Sequence, residues 1–113
     1  MRAGVFLALA AALPLAVACQ ASGGQAKAAP DGKALFHEKC AMCHGKVGMG
    51  TGLLARRVQP AELLQRTDLT SDFVIQAARI GIGNMPPIPR GEASDAELKR
   101  IADYLATPPA KRK

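Results

Sequence analysis

Two cysteines three residues apart, with a histidine directly after the second, form the group in this chain whose types and spacing could do chemistry: Cys40-Ala41-Met42-Cys43-His44. Such a group could be a redox dithiol, half of a zinc site, or the attachment point of a haem. A thioredoxin-like dithiol needs Cys-x-x-Cys beside a βαβ pattern, and no segment alternates apolar and polar residues as a strand would. Structural zinc needs a closed set of four ligands, for which His37 and the distant Cys19 are the remaining soft donors. Covalent haem uses every residue of the motif. The two cysteines can form thioethers to the vinyl groups, and His44 is then held under the iron as an axial ligand. The motif therefore predicts one covalently attached haem c per chain, with the dithiol as the remaining alternative.

A histidine fills one axial position, so the other decides the chemistry. Met42 is pinned between the two cysteines, Met49 sits among glycines, and His37 lies one turn before Cys40. Met85 differs, because Pro86 drives it out of helical geometry and Gly83, Pro87 and Pro89 shape an extended loop that could present its sulfur to the iron. A methionine that fills a core gap is the general alternative. His44 also needs an acceptor for its second ring N–H, which fixes the tautomer and raises ligand basicity; a carbonyl near Gly52 or Leu53 is expected.

Helices must position these groups. Asp31 reads as the N-cap of a helix from about 32 to 40, with Gly32, Leu35, Phe36 and Cys40 on one face. The glycines between Gly45 and Gly52 predict a loop, and Pro60 followed by AELLQR a short helix. Thr70 or Ser71 caps a run from Asp72 to Ile80 that is apolar around most of its circumference, which predicts a buried helix closed by Gly81. Ser94-Asp95-Ala96-Glu97 is a capping box for a last helix with Leu98, Ile101, Ala102 and Leu105 on one face and its end at Thr107. The expected fold is all-α: three principal helices, short helices and long loops around the haem, whose walls would be Leu53, Leu54, Phe73, Ile75, Ala78, Ile80 and Ile88.

Residues 1–18 have an early Arg2, an apolar run and a small-x-small ending, the layout of a secretory signal. An uncleaved anchor is the alternative. Ala16-Val17-Ala18-Cys19 also resembles a bacterial lipobox, although Ala16 stands where that pattern usually has Leu. Cys19 is thus a candidate for lipidation, and residues 19–30 for a flexible linker. A folded unit over 31–107 is small enough that an apolar core alone gives marginal stability. With no Trp, one Tyr and three Phe, an apolar cofactor would complete such a core. The formal charge of +6 falls by one when Arg2 leaves, and Lys111, Arg112 and Lys113 sit in a basic tail, 108–113, expected to be solvated. No basic stripe with interleaved aromatics points to nucleic acid.

From Asp31 to Leu105 the sequence resembles a class I cytochrome c of the short bacterial monohaem type, in Gly32 and Phe36 before CAMCH, Met85 in GNMPP, and Ile101 with Tyr104 in the last helix. The resemblance implies the cytochrome c fold, with the first helix crossing the last where Gly32 and Phe36 meet Ile101 and Tyr104. The chain departs from the family at Gly52-Leu53, where Pro usually follows the glycine, so the loop loses a constraint.

A His44/Met85 pair leaves no open iron position, and thioether ligation raises the potential. The expected function is electron transfer rather than catalysis. The chain reads as a monomeric, periplasmic carrier, tethered through Cys19 if lipidated, that docks weakly with a dehydrogenase or terminal oxidase. Lys39, Lys46 and Arg90 are the candidate contacts for an acidic partner. Alternatives are a fixed haem subunit of a larger oxidoreductase, or a haem-based sensor or weak peroxidase if Met85 dissociates. No second Cys-x-x-Cys-His is present, which excludes a di-haem peroxidase within this chain.

Overall fold

The computed structural model describes residues 28–113. The expected signal segment, Cys19 and most of the linker lie outside the described residues. Within them the chain is helical: α1 (Gly32–Lys39), α2 (Ala41–His44), α3 (Met49–Leu54), α4 (Ser71–Ile80) and α5 (Asp95–Ala106), with 3-10 turns at Leu63–Gln65 and Pro109–Lys111. One isolated bridge, Ile82 to Met85, is the extended pairing seen among the described residues. The all-α expectation holds.

Each principal helix starts where its sequence supplies a donor-satisfying cap. The Asp31 carboxylate accepts from Ala34 N at 2.8 Å, and Thr70 Oγ1 accepts from Phe73 N at 3.2 Å. At α5 the box is reciprocal: Ser94 Oγ accepts from Glu97 N at 3.3 Å, and Glu97 Oε2 accepts from Ser94 N at 2.8 Å. Caps alone do not hold helices this short, since isolated helices below about 12–15 residues are marginal in water. Packing supplies the rest. Leu35, Phe36, Leu69, Ile101 and Leu105 form the buried core, with Leu35 and Phe36 at 0% exposure.

The crossing of α1 over α5 depends on Gly32. A Cβ there would stand 2.2 Å from Arg100 O and 2.8 Å from Tyr104 Cβ, so the two backbones touch only because the side chain is missing. Phe36 and Tyr104 follow with ring centroids 6.3 Å apart. The expected meeting of Gly32 and Phe36 with the Ile101–Tyr104 stretch is therefore observed. Helix α4 closes the other side of α5, where Ser71 Oγ donates to Asp103, and Lys99 Nζ donates to the same carboxylate at 2.6 Å.

Four expectations are corrected. The glycine-rich stretch is not all loop: Met49–Leu54 is helical, opened by Gly52 N donating to Gly48 O at 3.0 Å. Gly50 and Gly52 lie within this helix, while Gly45 and Gly48 before it are extended. The AELLQR segment forms a single 3-10 turn at Leu63–Gln65 instead of an α-helix. Helix α4 is not buried all round, for Ala78 is its one buried residue while Phe73 is 48% and Ile80 65% exposed.

The basic tail is not simply solvated either. Arg112 donates to Tyr104 O at 3.0 Å, Leu105 O at 2.6 Å, Arg66 O at 3.3 Å and Leu64 O, and its guanidinium lies 5.6 Å from the Tyr104 ring centroid. The last carbonyls of a helix have no partner within it, and a five-donor guanidinium supplies one.

Candidate functional site

The site is assembled from α2 and its neighbours. Helix α1 breaks at Cys40, whose N–H still donates to Phe36 O at 2.9 Å, and α2 begins with His44 N donating back to Cys40 O at 2.9 Å. One helical turn therefore holds Cys40, Cys43 and His44, at offsets of three and four residues that share a helix face. Both cysteines are free thiols. Burial pushes the Cys40 thiol up from its ordinary value, with Lys39 opposing and Cys43 adding to the shift. A reactive dithiol needs the opposite displacement.

His44 is half-buried, and burial lowers its pKa, which favours the neutral imidazole that a metal requires. Its Nδ1 is buried without a hydrogen-bond partner. The carbonyl expected from Gly52 or Leu53 does not reach it; α3 turns that stretch into helix, and Leu53 O accepts from Arg56 N instead. Gly50 lies against the ring, where a Cβ would stand 3.1 Å from Cε1 and 3.3 Å from Nδ1. At Gly48 a Cβ would stand 2.2 Å from Cys43 O. Thr51, buried among polar residues as few here are, donates its hydroxyl to Gly45 O at 2.8 Å and ties α3 to the end of the motif.

Met85 is carried on a separate loop. Gly81, at φ +81°, ends α4, and a Cβ there would meet Met85 O at 2.7 Å. Ile82 and Met85 then exchange both backbone hydrogen bonds at 3.0 Å across Gly83-Asn84. Gly83 has φ +57° and no non-glycine residue among the described ones has positive φ, which gives a type II′ turn. Met85 is half-buried, whereas Met42 is 89% exposed, and Met49 and His37 are exposed as well. The structure thus brings Cys40, Cys43 and His44 into one turn and sets Met85 on the loop between α4 and α5.

Of the expected walls, Ala78 is buried, Leu53, Leu54, Ile75 and Ile88 are half-buried, and Phe73 and Ile80 are open. Phe73, Ala77, Ile80 and Ile82 line a shallow apolar cavity of about 180 Å³. A wider cleft of about 500 Å³, between residues 29–32 and α5, lies at the end of α1 remote from the motif and is lined by Asp31, Arg100 and Asp103. Its size does not make it the site, because it touches none of the motif residues. No convergence of three or more His, Cys, Asp or Glu side chains occurs among the described residues.

The charges around the motif are sorted. From Lys39 to Ala61 the sequence has no acidic residue, and Lys46, Arg56 and Arg57 are exposed there with no ion pair among the described residues. Two of the three expected docking cations are committed elsewhere. Lys39 Nζ donates to Glu92 O at 3.0 Å and lies 3.6 Å from both Glu38 and Glu97, and Arg90 pairs with Asp95 at 2.8 Å.

Sequence reasoning passed over Arg79, Thr51 and Gly50. Arg79 left one signal, a lone cation in the last turn of an otherwise apolar helix. Thr51 and Gly50 left none, because their partners are carbonyls and a ring brought close by folding.

A metal macrocycle suits these residues. Two thiols and an imidazole share one turn, the imidazole has an orphaned buried Nδ1, and Gly48 and Gly50 let the backbone of α3 approach the motif closely. The helical fold and the Cys-x-x-Cys-His turn together are those of a class I c-type cytochrome. A family described as cytochrome C oxidase, cbb3-type, subunit III matches residues 27–105, and the chain belongs to that family. Haem c as cofactor and haem-based electron transfer follow from this membership. A search of curated proteins gives no match. Among solved structures, the chain is similar to one in the crystal structure of p-cresol methylhydroxylase with substrate bound, with 28% identity and a TM-score of 0.51, over 70% of this chain and 93% of that one.

Proposed function

We propose that the chain carries one haem c, attached through Cys40 and Cys43 and ligated by His44 and Met85, and that it transfers single electrons outside the cytoplasmic membrane without turning over a substrate. The observation that carries this reading is the single turn holding Cys40, Cys43 and a His44 whose Nδ1 is buried and unpaired. Bound haem supplies an iron couple that changes by one electron. Around it the residues of the chain divide the work. His44 offers a nitrogen lone pair, and Gly48 and Gly50 let α3 close on the motif. Met85 offers a sulfur that favours the reduced state and raises the potential. Leu53, Leu54, Ile75, Ala78 and Ile88, buried or half-buried, are the apolar residues that would shield the haem from water. With His44 and Met85 both as ligands, the chain would leave no position at the metal for a substrate.

The acid-free lobe between Lys39 and Ala61 suits an acidic partner, with Lys46, Arg56 and Arg57 as the free cations and Met42, Val47 and Met49 as exposed apolar contacts among them. Small interfaces are usual for electron-transfer encounters. The leader supports export to the periplasm and the AVAC stretch a lipid tether at Cys19.

A second reading, a fixed haem subunit, is favoured by the comparisons. The family's description is that of an oxidase subunit, and the similar solved chain comes from a methylhydroxylase structure. Stoichiometric co-purification with a catalytic chain through high-salt washes selects the subunit; isolation of a holo-monomer selects the free carrier. The attachment is tested on the purified holoprotein by acid-acetone extraction. The haem should stay with the polypeptide in the native sequence and be released after Cys40→Ser with Cys43→Ser. Release from the native protein would overturn the thioether assignment.

A further inference from the structure

We propose that Arg79 is a positioning residue that fastens the Met85 loop to α4 and so holds the Met85 sulfur in ligating position. The inference rests on the reading of Met85 as an axial ligand. Its physical origin is a shortage of donors. Pro86, Pro87 and Pro89 have no N–H, so the carbonyls that follow Met85 cannot be paired by an ordinary backbone ladder. A guanidinium presents five donors in a rigid fork, and Arg79 spends its fork on this segment. Nη1 donates to Ile88 O at 2.8 Å, and Nη2 donates to Ala93 O at 2.8 Å and to Asp95 Oδ1 at 2.8 Å.

The adjacent α4 residue completes the clasp. Ile88 N donates to Ala78 O at 2.7 Å, so both backbone polar groups of Ile88 are tied to consecutive residues of α4. Between Ile88 and Met85 lie two prolines of fixed φ. On the other side, Gly81 and the two-residue turn join Met85 to the end of the same helix. Met85 is therefore held at both ends by α4, covalently through Gly81 and non-covalently through Ala78 and Arg79. The Arg79 side chain is 16% exposed and its Nε is buried without a partner. Asp95 is the acceptor that orients it, shared with Arg90. Without Arg79 the Ile88 and Ala93 carbonyls lose this donor, and the segment after Met85 keeps the Ile88 N to Ala78 O bond as its hydrogen-bonded tie to α4 among the described residues.

The test uses oxidised full-length holoprotein and exogenous imidazole, which competes with a weakly held sulfur, together with the near-infrared sulfur-to-iron band. Arg79→Met, which keeps the apolar stem, should weaken the band and bind imidazole at least about tenfold more tightly, the scale set by lost hydrogen bonds to a charged group. Arg79→Lys should fall between that variant and the native protein, because an ammonium can replace part of the fork. Asp31→Ala removes a cap remote from the loop and should lower the melting temperature while leaving imidazole affinity unchanged, which separates positioning from general stability. If Arg79→Met fails to fold, Arg79→Lys decides alone. Native imidazole affinity and native band intensity in the Arg79 variants would overturn the proposal. A failure of the underlying ligand reading looks different: the native protein would lack the band, and Met85→Ala would not change imidazole affinity.

Discussion

The residues around the motif act mainly through the space they leave. Gly50 and Gly52 belong to the same short helix and differ in what a side chain would meet. A Cβ at Gly50 would stand 2.9 Å from Cys43 O and 3.1 Å from His44 Cε1, while at Gly52 nothing lies within 4 Å. Gly50→Ala should therefore destabilise the domain by about 1–3 kcal/mol through overpacking. Gly52→Ala should stabilise it by up to about 1 kcal/mol, the helix-propensity gain over glycine. Urea unfolding of the two holoproteins checks both signs. These two glycines also show where reading by residue type stops. Four glycines within eight residues signal a turn, yet here Gly48 and Gly50 admit the carbonyl of Cys43, and Gly50 the ring of His44, neighbours that exist only once α2 and α3 have packed. The motif itself was legible, because its chemistry is local to five residues. The hydrogen bond of His44 was not, because its acceptor would have to come from a segment whose helical state was misread.

At the scale of elements, the helix ends carry much of the specification. Ser94→Ala breaks the reciprocal box at α5 and should cost about 1 kcal/mol, read as a lower urea midpoint at unchanged slope. The caps at Asp31, Thr70 and Ser94 and the stop at Gly81 were all legible, since each uses groups within four residues of one another. Arg79 and Arg112 were not, since their acceptors lie 7 to 48 residues away. Arg79 pairs with Asp95 and Ser71 donates to Asp103 between α4 and α5. Asp103 is held below the usual carboxylate range by hydrogen bonds from Lys99 and then Ser71, and Glu97 by the Ser94 backbone and hydroxyl and by Lys39. A carboxylate whose folded pKa is depressed binds fewer protons folded than unfolded, so its stabilisation is present above the unfolded value of about 4 and is lost as pH falls through the lower folded value. The melting temperature should be flat near neutrality and fall below about pH 4. Asp103→Asn should make that acid limb shallower, and an unchanged limb would contradict the assignment.

For the whole molecule, the arrangement is two-sided. One end of α1 packs on α5 through Gly32, and the other delivers Cys40, Cys43 and His44 to a lobe that carries free cations and no acidic residue. If that lobe docks on an acidic partner, Lys46→Glu with Arg56→Glu and Arg57→Glu should slow the bimolecular electron-transfer rate at low salt, and raising ionic strength should erase the difference as screening shortens to about 10 Å or less. Stopped-flow mixing with an acidic redox protein measures it. Net charge and apolar content could not have located this lobe, because Lys39 and Arg90 look equally suitable in the sequence and are neutralised only in the fold. The most direct test concerns the closed His44/Met85 centre. The oxidised holoprotein should show the near-infrared sulfur-to-iron charge-transfer band, and Met85→Ala should abolish it while the haem stays attached. A native protein without that band, or a Met85→Ala variant that retains it, would contradict a His/Met electron-transfer site.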